Sequence, residues 1–289
     1  MRSLTPIQIS TATVLLILAG CTIATSPRVT QRPETKVEKP VVDSSRAVDV
    51  DATPYAPGQL QYRLQTSSVV RVIAGDSVDR ADSTLLTGVL TLVLVAGPAR
   101  NSVIADVRSD SVSVATGSGT SAPLPPRDVS AFAIDIQTGR VAPMNQKVRR
   151  ECAADSADSS PIYGYEVLPS IHAWPVQTWT DTLYTSTCRG GAFLTIARIA
   201  SYKRLESADS VLRVLRLTQF QISGSGRQWD QKVEVSGEGT STDTLHLRGS
   251  PLRLQAVSGG SQTKLSFRTQ LRAQEFTQTS TTHITLRNH

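Results

Sequence analysis

Apolar and polar residues alternate along most of the chain after residue 58, and this period of two restricts the possible folds more than any other feature. The alternation returns every 10–15 residues or so, roughly the spacing of strands joined by turns rich in Gly, Ser and Pro. A period of two is typical of half-buried β-strands. The pattern predicts an antiparallel, mainly β domain over residues 58–289, with about eleven or twelve strands and little helix. The clearest runs are residues 60–64, 90–95, 103–107, 132–136 and 265–271.

Two segments fit more than one structure. Residues 207–217 fit either a strand or a capped amphipathic helix, and the strand is favoured; residues 145–152 fit a short helix. The Asp/Ser-rich residues 153–161 predict a surface loop, which would divide the domain into strand-rich halves, 58–150 and 162–289.

Paired glycines predict the turns. Gly190-Gly191 and Gly259-Gly260 each indicate a hairpin between alternating runs. The Gly-x-Gly pairs that begin at Gly117, Gly224 and Gly237 lack the third glycine of a dinucleotide-binding loop, so they also predict turns.

The N-terminus has the features of an export signal. Arg2 precedes a short apolar stretch, residues 14–19, which is below the roughly 20 residues that a membrane-spanning helix needs. The stretch ends in Leu18-Ala19-Gly20-Cys21, which resembles the lipobox of bacterial lipoproteins. The resemblance implies cleavage after Gly20 and attachment of diacylglycerol and palmitate to Cys21. The alternative is an ordinary signal peptide with a chance cysteine.

The resemblance also implies a location. Thr22 follows the cysteine, and in Gram-negative lipoproteins a residue other than Asp at this position favours the outer membrane. Residues 1–20 are then a signal peptide and residues 21–57 a Pro-containing tether, since few large apolar groups occur there. The lipid anchor makes the membrane a partner.

Charge and composition argue against nucleic acid as a partner. The formal charge is +6 and falls to +5 without Arg2, which is the only charged residue of the signal. Aromatic residues make up 5% of the chain, whereas nucleic-acid-binding surfaces usually combine dense basic patches with aromatics.

Cys152 and Cys188 remain after Cys21 is lipidated. In an exported protein an even pair predicts a disulfide. The bridge would close a loop of 37 residues, counted from 152 to 188 inclusive, and contribute about 3–4 kcal/mol by loop entropy.

One enzymatic alternative deserves a test. Gly75-Asp76-Ser77-Val78 resembles the first block of the GDS-type esterases, and Asp243-Thr244-Leu245-His246 has the spacing of their Asp-x-x-His. The resemblance implies a nucleophile at Ser77, a base at His246 and an orienting Asp243. Asp-Ser recurs through the chain and no Gly-x-Asn block is present, so the sequence favours a protein that is not an enzyme.

Other sites are weakly indicated. The four histidines occur singly, and no motif predicts a metal or a cofactor. Trp174 and Trp179 form the densest aromatic cluster; they are weak candidates for a binding site, and packing at the edge of the core is favoured.

A lipobox, a tether and a run of long strands are similar in style to the LolA, LolB and LppX-like envelope lipoproteins. That similarity implies a strongly curved sheet or open barrel around an apolar cavity, although the helices that fill the cavity in those families are not evident here. The sequence thus predicts a membrane-anchored envelope lipoprotein with a non-enzymatic binding or structural role. The expected partner is an apolar ligand such as lipid, or another envelope protein; the GDS-type esterase is the alternative.

Overall fold

A computed structural model describes residues 55–74, 77–117, 121–124, 130–144, 162–172, 176–189, 192–205, 211–228, 231–249, 251–270 and 273–287. The predicted signal peptide and lipobox and most of the predicted tether lie outside the described residues, as do residues 145–161 with Cys152.

The described residues form one antiparallel sheet with twelve strands and a single short helix. The predicted fold class is confirmed. Nine of the strands have 12 or more residues, while an average strand has about 5–6. The elements are β1 (Gly58–Ala74), β2 (Ser77–Ala96), β3 (Ser102–Thr116), β4 (Ser121–Leu124), β5 (Ser130–Asp135), β6 (Val141–Pro143), α1 (Ile162–Val167), β7 (Thr178–Arg189), β8 (Ala192–Arg204), β9 (Val211–Gln228), β10 (Gln231–Arg248), β11 (Arg253–Thr269) and β12 (Ala273–Leu286).

The sheet curves into a nearly closed barrel because its first and last strands pair. The strand order is β6-β5-β3-β2-β1-β12-β11-β10-β9-β8-β7, and β4 pairs only with β3. Tyr62 lies opposite Leu286 and Ile73 opposite Glu275 in the β1–β12 ladder. One seam is left without a ladder, between β6 and β7.

The seam is bridged by α1 and the residues that follow it. The ring of Tyr165 packs edge-on against Phe132 of β5, with centroids 5.1 Å apart. On the other side, the indole nitrogen of Trp179 donates a hydrogen bond to the Ser170 carbonyl at 2.8 Å. Residues 162–172, hereafter the seam segment, therefore connect the two sheet edges through side chains instead of a strand ladder.

Gly139 allows the seam segment to approach closely. It has a φ of 66°, which favours glycine, and a Cβ there would lie 2.2 Å from the carbonyl oxygen of Ile171.

Inward and outward residues alternate as predicted, with apolar residues inside. Tyr62, Leu64, Val70 and Val72 of β1 are buried, whereas the intervening residues are mostly exposed polar groups. The inward apolar residues form two separate clusters, one towards the start of β1 and one towards its end. The strand favoured over residues 207–217 is confirmed for the part that the structure describes, because β9 begins at Val211.

Several predicted turns are wrong. The glycine pairs that begin at Gly224 and Gly237 lie inside β9 and β10, and Gly259-Gly260 lies inside β11. Gly190 and Gly191 lie outside the described residues, and the flanking Arg189 and Ala192 pair with each other. Strands of 17 or 18 residues leave no room for turns at the other three positions.

Candidate functional site

A belt of polar side chains separates the two apolar clusters inside the barrel. One row of directly opposed residues crosses five neighbouring strands, and all five are buried. We define the polar belt as this row, Ser68, Ser280, Ser261, Ser241 and Thr218, with the adjacent buried residues Thr66, Arg216, Asp243, Thr263 and Gln278.

Hydrogen bonds satisfy only part of the belt. The Ser68 and Ser280 hydroxyls lie 2.8 Å apart, and the Gln278 amide nitrogen donates to Ser280 at 2.9 Å. The hydroxyls of Thr218 and Thr263 and the amide oxygen of Gln278 have no hydrogen-bond partner among the residues that the structure describes. Buried polar groups normally find a partner, so ordered internal water is expected here.

Arg216 is the centre of a buried ionic cluster at one edge of the belt. Its side chain is 1% exposed, and its Nε donates to Asp243 Oδ2 at 3.0 Å. Its Nη2 donates to the Glu166 carboxylate of α1. The Ser241 hydroxyl donates to Asp243 Oδ2 at 2.9 Å. The cluster therefore attaches the seam segment to the barrel wall.

The electrostatics of the cluster follow from two carboxylates sharing one guanidinium. Burial raises the pKa of Asp243, and the positive charge of Arg216 offsets this rise only in part. Burial would also raise the pKa of Glu166, but the charges of Arg216 and Arg198 hold it below its usual value. Burial would lower the pKa of Arg216, and the two carboxylates outweigh this and raise it. Glu166 and Arg216 are thus kept charged.

Gly259 makes room for the cluster. A Cβ at this position would lie 1.9 Å from Asp243 Oδ1 and 2.7 Å from the carbonyl oxygen of Thr242. Gly259 lies directly opposite Asp243 in the β10–β11 ladder. The glycine that the sequence assigned to a hairpin instead admits a buried carboxylate.

A small cavity lies beside the cluster, under the seam segment. Its volume is about 10 Å³, the space of about one water molecule. Ligand pockets generally measure about 300–1,000 Å³. This cavity is therefore far smaller than the apolar cavity implied by resemblance to the LolA-type lipoproteins. Its lining includes Tyr165, Asp181, Arg198 and Tyr202.

The residues of the GDS-type hypothesis are not brought together. Ser77 begins β2 and pairs with Ala74 at the β1–β2 turn. Asp243 and His246 lie towards the opposite end of the barrel. Because the two are three residues apart on one strand, their side chains point to opposite faces, and Asp243 is bound to Arg216 instead of a histidine. The three residues of the alternative esterase hypothesis thus lie apart in this geometry.

Trp179 is packed among neighbouring side chains. Its ring stacks on Tyr202 with centroids 5.2 Å apart and an interplanar angle of 6°, and the guanidinium of Arg204 lies 5.6 Å from its centroid. His172 packs on its other side at 5.6 Å. Trp179 is the second residue of β7 and belongs to the larger apolar cluster. Trp174 and the side chain of Cys188 lie outside the described residues, so the predicted disulfide stays a prediction.

No group of three or more His, Cys, Asp or Glu side chains suited to a metal ion occurs in the ranges that the structure describes. Within those ranges, no helix has the length and apolar character needed to cross a membrane.

No protein-family model matches this sequence, and no curated protein matches it. Solved structures with some likeness include OccK5 (OpdH) of Pseudomonas aeruginosa, with 9% identity, a TM-score of 0.27, and coverage of 80% of this chain and 98% of that one. A triple mutant of the Rh. blastica porin has 8% identity and a TM-score of 0.22, and the match covers 80% of this chain and all of that one. Likeness at these TM-scores carries no argument about function.

Proposed function

We propose that this chain is a lipid-anchored protein of the cell envelope, with its lipid on Cys21, and that its β-domain acts as a scaffold or partner-binding module and not as an enzyme. The lipobox Leu18-Ala19-Gly20-Cys21 supports the anchor, and Thr22 supports placement at the outer membrane. The barrel supports the rest of the proposal.

The main support for a non-enzymatic role is that side chains fill the interior of the barrel. Two apolar clusters and the polar belt occupy it, and the cavity of about 10 Å³ cannot hold an acyl chain. This favours a structural or partner-binding role over lipid carriage inside the barrel.

The outer face offers a surface for a partner. The outward residues of β1 and β12 are mainly Arg, Gln, Ser and Thr, so this face contacts water. Near the β7 edge, Tyr184, Ile199 and Leu217 are 67%, 45% and 48% exposed on three neighbouring strands. Exposed apolar groups that cluster in this way favour protein contact.

The test of the anchor is expression of the full precursor in a Gram-negative host, with a palmitate label and mass spectrometry of the N-terminal peptide. We expect a processed chain that begins at an acylated Cys21 and sediments with membranes. Cys21→Ala should be unlabelled, and Cys188→Ala, the matched control, should be labelled like the wild type. A wild-type chain without lipid, or a labelled Cys21→Ala chain, would contradict the proposal.

The same preparation distinguishes scaffold from carrier and enzyme. The mature protein should not take up an apolar fluorophore, because its interior is filled. Any hydrolysis of short-chain esters should be the same in Ser77→Ala as in the wild type. Dye uptake, or loss of esterase activity in a folded Ser77→Ala variant, would reverse this part of the proposal.

A further inference from the structure

The two ends of the barrel differ in charge, and the difference follows from the topology. Successive long strands run in opposite directions, so their connections alternate between two ends. The end at which β1 begins also holds the turns at residues 97–101, 136–140 and 249–252 and the last residues of β12. We call it the tether end, because the chain from Cys21 enters the domain there at Gly58.

Exposed bases dominate the tether end. Among the described residues of its turns and strand termini, five bases are exposed and one acid, Asp135, is exposed. The Asp135 carboxylate already accepts hydrogen bonds from the backbone nitrogens of Gln137 and Thr138 at 2.9 and 3.0 Å. By sequence, residues 206–210 between β8 and β9 add Glu206 and Asp209, which leaves the end positive. The exposed bases are Arg100, Arg140, Lys203, Arg248 and Arg287.

The β10–β11 turn places two bases against each other. Arg248 lies directly opposite Arg253 in the ladder, an arrangement of like charges that destabilises a strand pair. One guanidinium nitrogen of Arg253, Nη1, is buried and has no hydrogen-bond partner in the described part of the chain. The repulsion between Arg248 and Arg253 works against folding. An anionic partner bound at the tether end would offset that repulsion.

The opposite end is mixed in sign. Arg80 pairs with Asp82 at 2.8 Å and Lys232 with Glu234 at 2.7 Å. The β10–β11 register also sets Lys264 opposite Glu238 and Arg268 opposite Glu234. Several described bases at this end therefore have an acid as a neighbour, whereas Arg248 at the tether end faces Arg253.

From these observations we infer that the tether end is a docking surface for the phosphate headgroups of anionic membrane lipids. The inference rests on the proposed lipid anchor for its biological setting: Cys21 precedes Gly58 by 37 positions, so the anchored chain enters the barrel at its basic end. Lysine and arginine side chains near an anionic surface each strengthen binding about fivefold. The barrel would then stand with the tether end on the membrane.

The test uses the mature chain with Cys21→Ser, so that binding does not depend on lipidation. Its flotation is measured with vesicles of pure phosphatidylcholine and with vesicles that also contain phosphatidylglycerol. We expect binding only to the second, and weaker binding as salt rises, since salt screens exposed charges. The variant Arg100→Glu/Lys203→Glu/Arg248→Glu should bind about a hundredfold more weakly.

A control variant has the same charge change elsewhere. Arg71→Glu/Lys264→Glu/Arg268→Glu alters three exposed bases outside the tether end and should retain most of the binding. Circular dichroism checks that both variants fold. If the charge-reversal variant of the tether end does not fold, the milder variant Arg100→Gln/Lys203→Gln/Arg248→Gln replaces it. Equal binding to both vesicle types, or equal losses in the two charge-reversal variants, would overturn the inference.

The outcome is separable from that of the proposed anchor. Failure of the vesicle test with Cys21 acylated in cells would refute the docking surface alone. Specific binding to phosphatidylglycerol by a chain that is never acylated in cells would refute the anchor and leave the docking surface standing.

Discussion

Replacement of Arg216 by methionine tests the energetic role of the buried ionic cluster. Methionine keeps much of the volume of the side chain but removes the charge that Glu166 and Asp243 share. Both carboxylates then lie without their cation, in side chains that are only 14% and 8% exposed. Removal of one partner of a buried ion pair generally costs about 3–5 kcal/mol, and we expect a loss in the unfolding free energy within that range.

The assay is urea unfolding at neutral pH, followed by circular dichroism. The matched control is Lys232→Met, which removes the cation of the Lys232–Glu234 pair, where the side chains are 65% and 54% exposed. Exposed pairs contribute about 0–1 kcal/mol, so this control should unfold nearly like the wild type.

Two further results would show that charge is responsible and not side-chain volume. The Arg216→Met deficit should shrink as the pH falls towards about 4, where carboxyl groups ordinarily take up protons. The triple variant Glu166→Gln/Arg216→Met/Asp243→Asn should regain most of the loss, because neutral replacement of a whole buried cluster is often tolerated. A loss below about 1 kcal/mol for Arg216→Met, equal to that of the exposed control, would refute the reasoning.

The sequence predicted the strands well because the physical signal is local. Side chains two residues apart face the same side of a strand, and a barrel that is apolar over much of its interior and polar outside converts this into a pattern such as Leu60, Tyr62 and Leu64. The burial of Tyr62 and Leu64 confirms that inference. Residues 207–217 were ambiguous because Arg216 occupies an inward position of β9 and interrupts the apolar alternation there.

The site was not predictable because its pairing is non-local. Arg216 meets Glu166 and Asp243, which are 50 and 27 positions away in sequence. A charged residue within a strand usually indicates an outward position, so only the register shows that Arg216 and Asp243 face inward. The role of Gly259 was not predictable either. Paired glycines give a local turn signal, whereas the Asp243 carboxylate that requires a glycine here comes from another strand.

Two predictions remain for the barrel interior and the seam. Gly259→Ala should destabilise the fold by about 1–3 kcal/mol by overpacking against Asp243, while Gly260→Ala, whose Cβ would lie 3.8 Å from the nearest atom, should cost less in the same urea assay; equal costs would contradict the close approach. Burial and the charge of Arg204 lower the pKa of His172, so the folded state prefers the neutral imidazole. Because an unfolded histidine ionises near pH 6.5, its proton uptake favours unfolding, and stability should fall as the pH drops from about 6.5 through the lower folded pKa and then level off. Thermal unfolding across this pH range should show a shallower slope for His172→Gln than for the wild type; an unchanged slope in His172→Gln would show that the seam histidine does not contribute to the acid sensitivity of the fold.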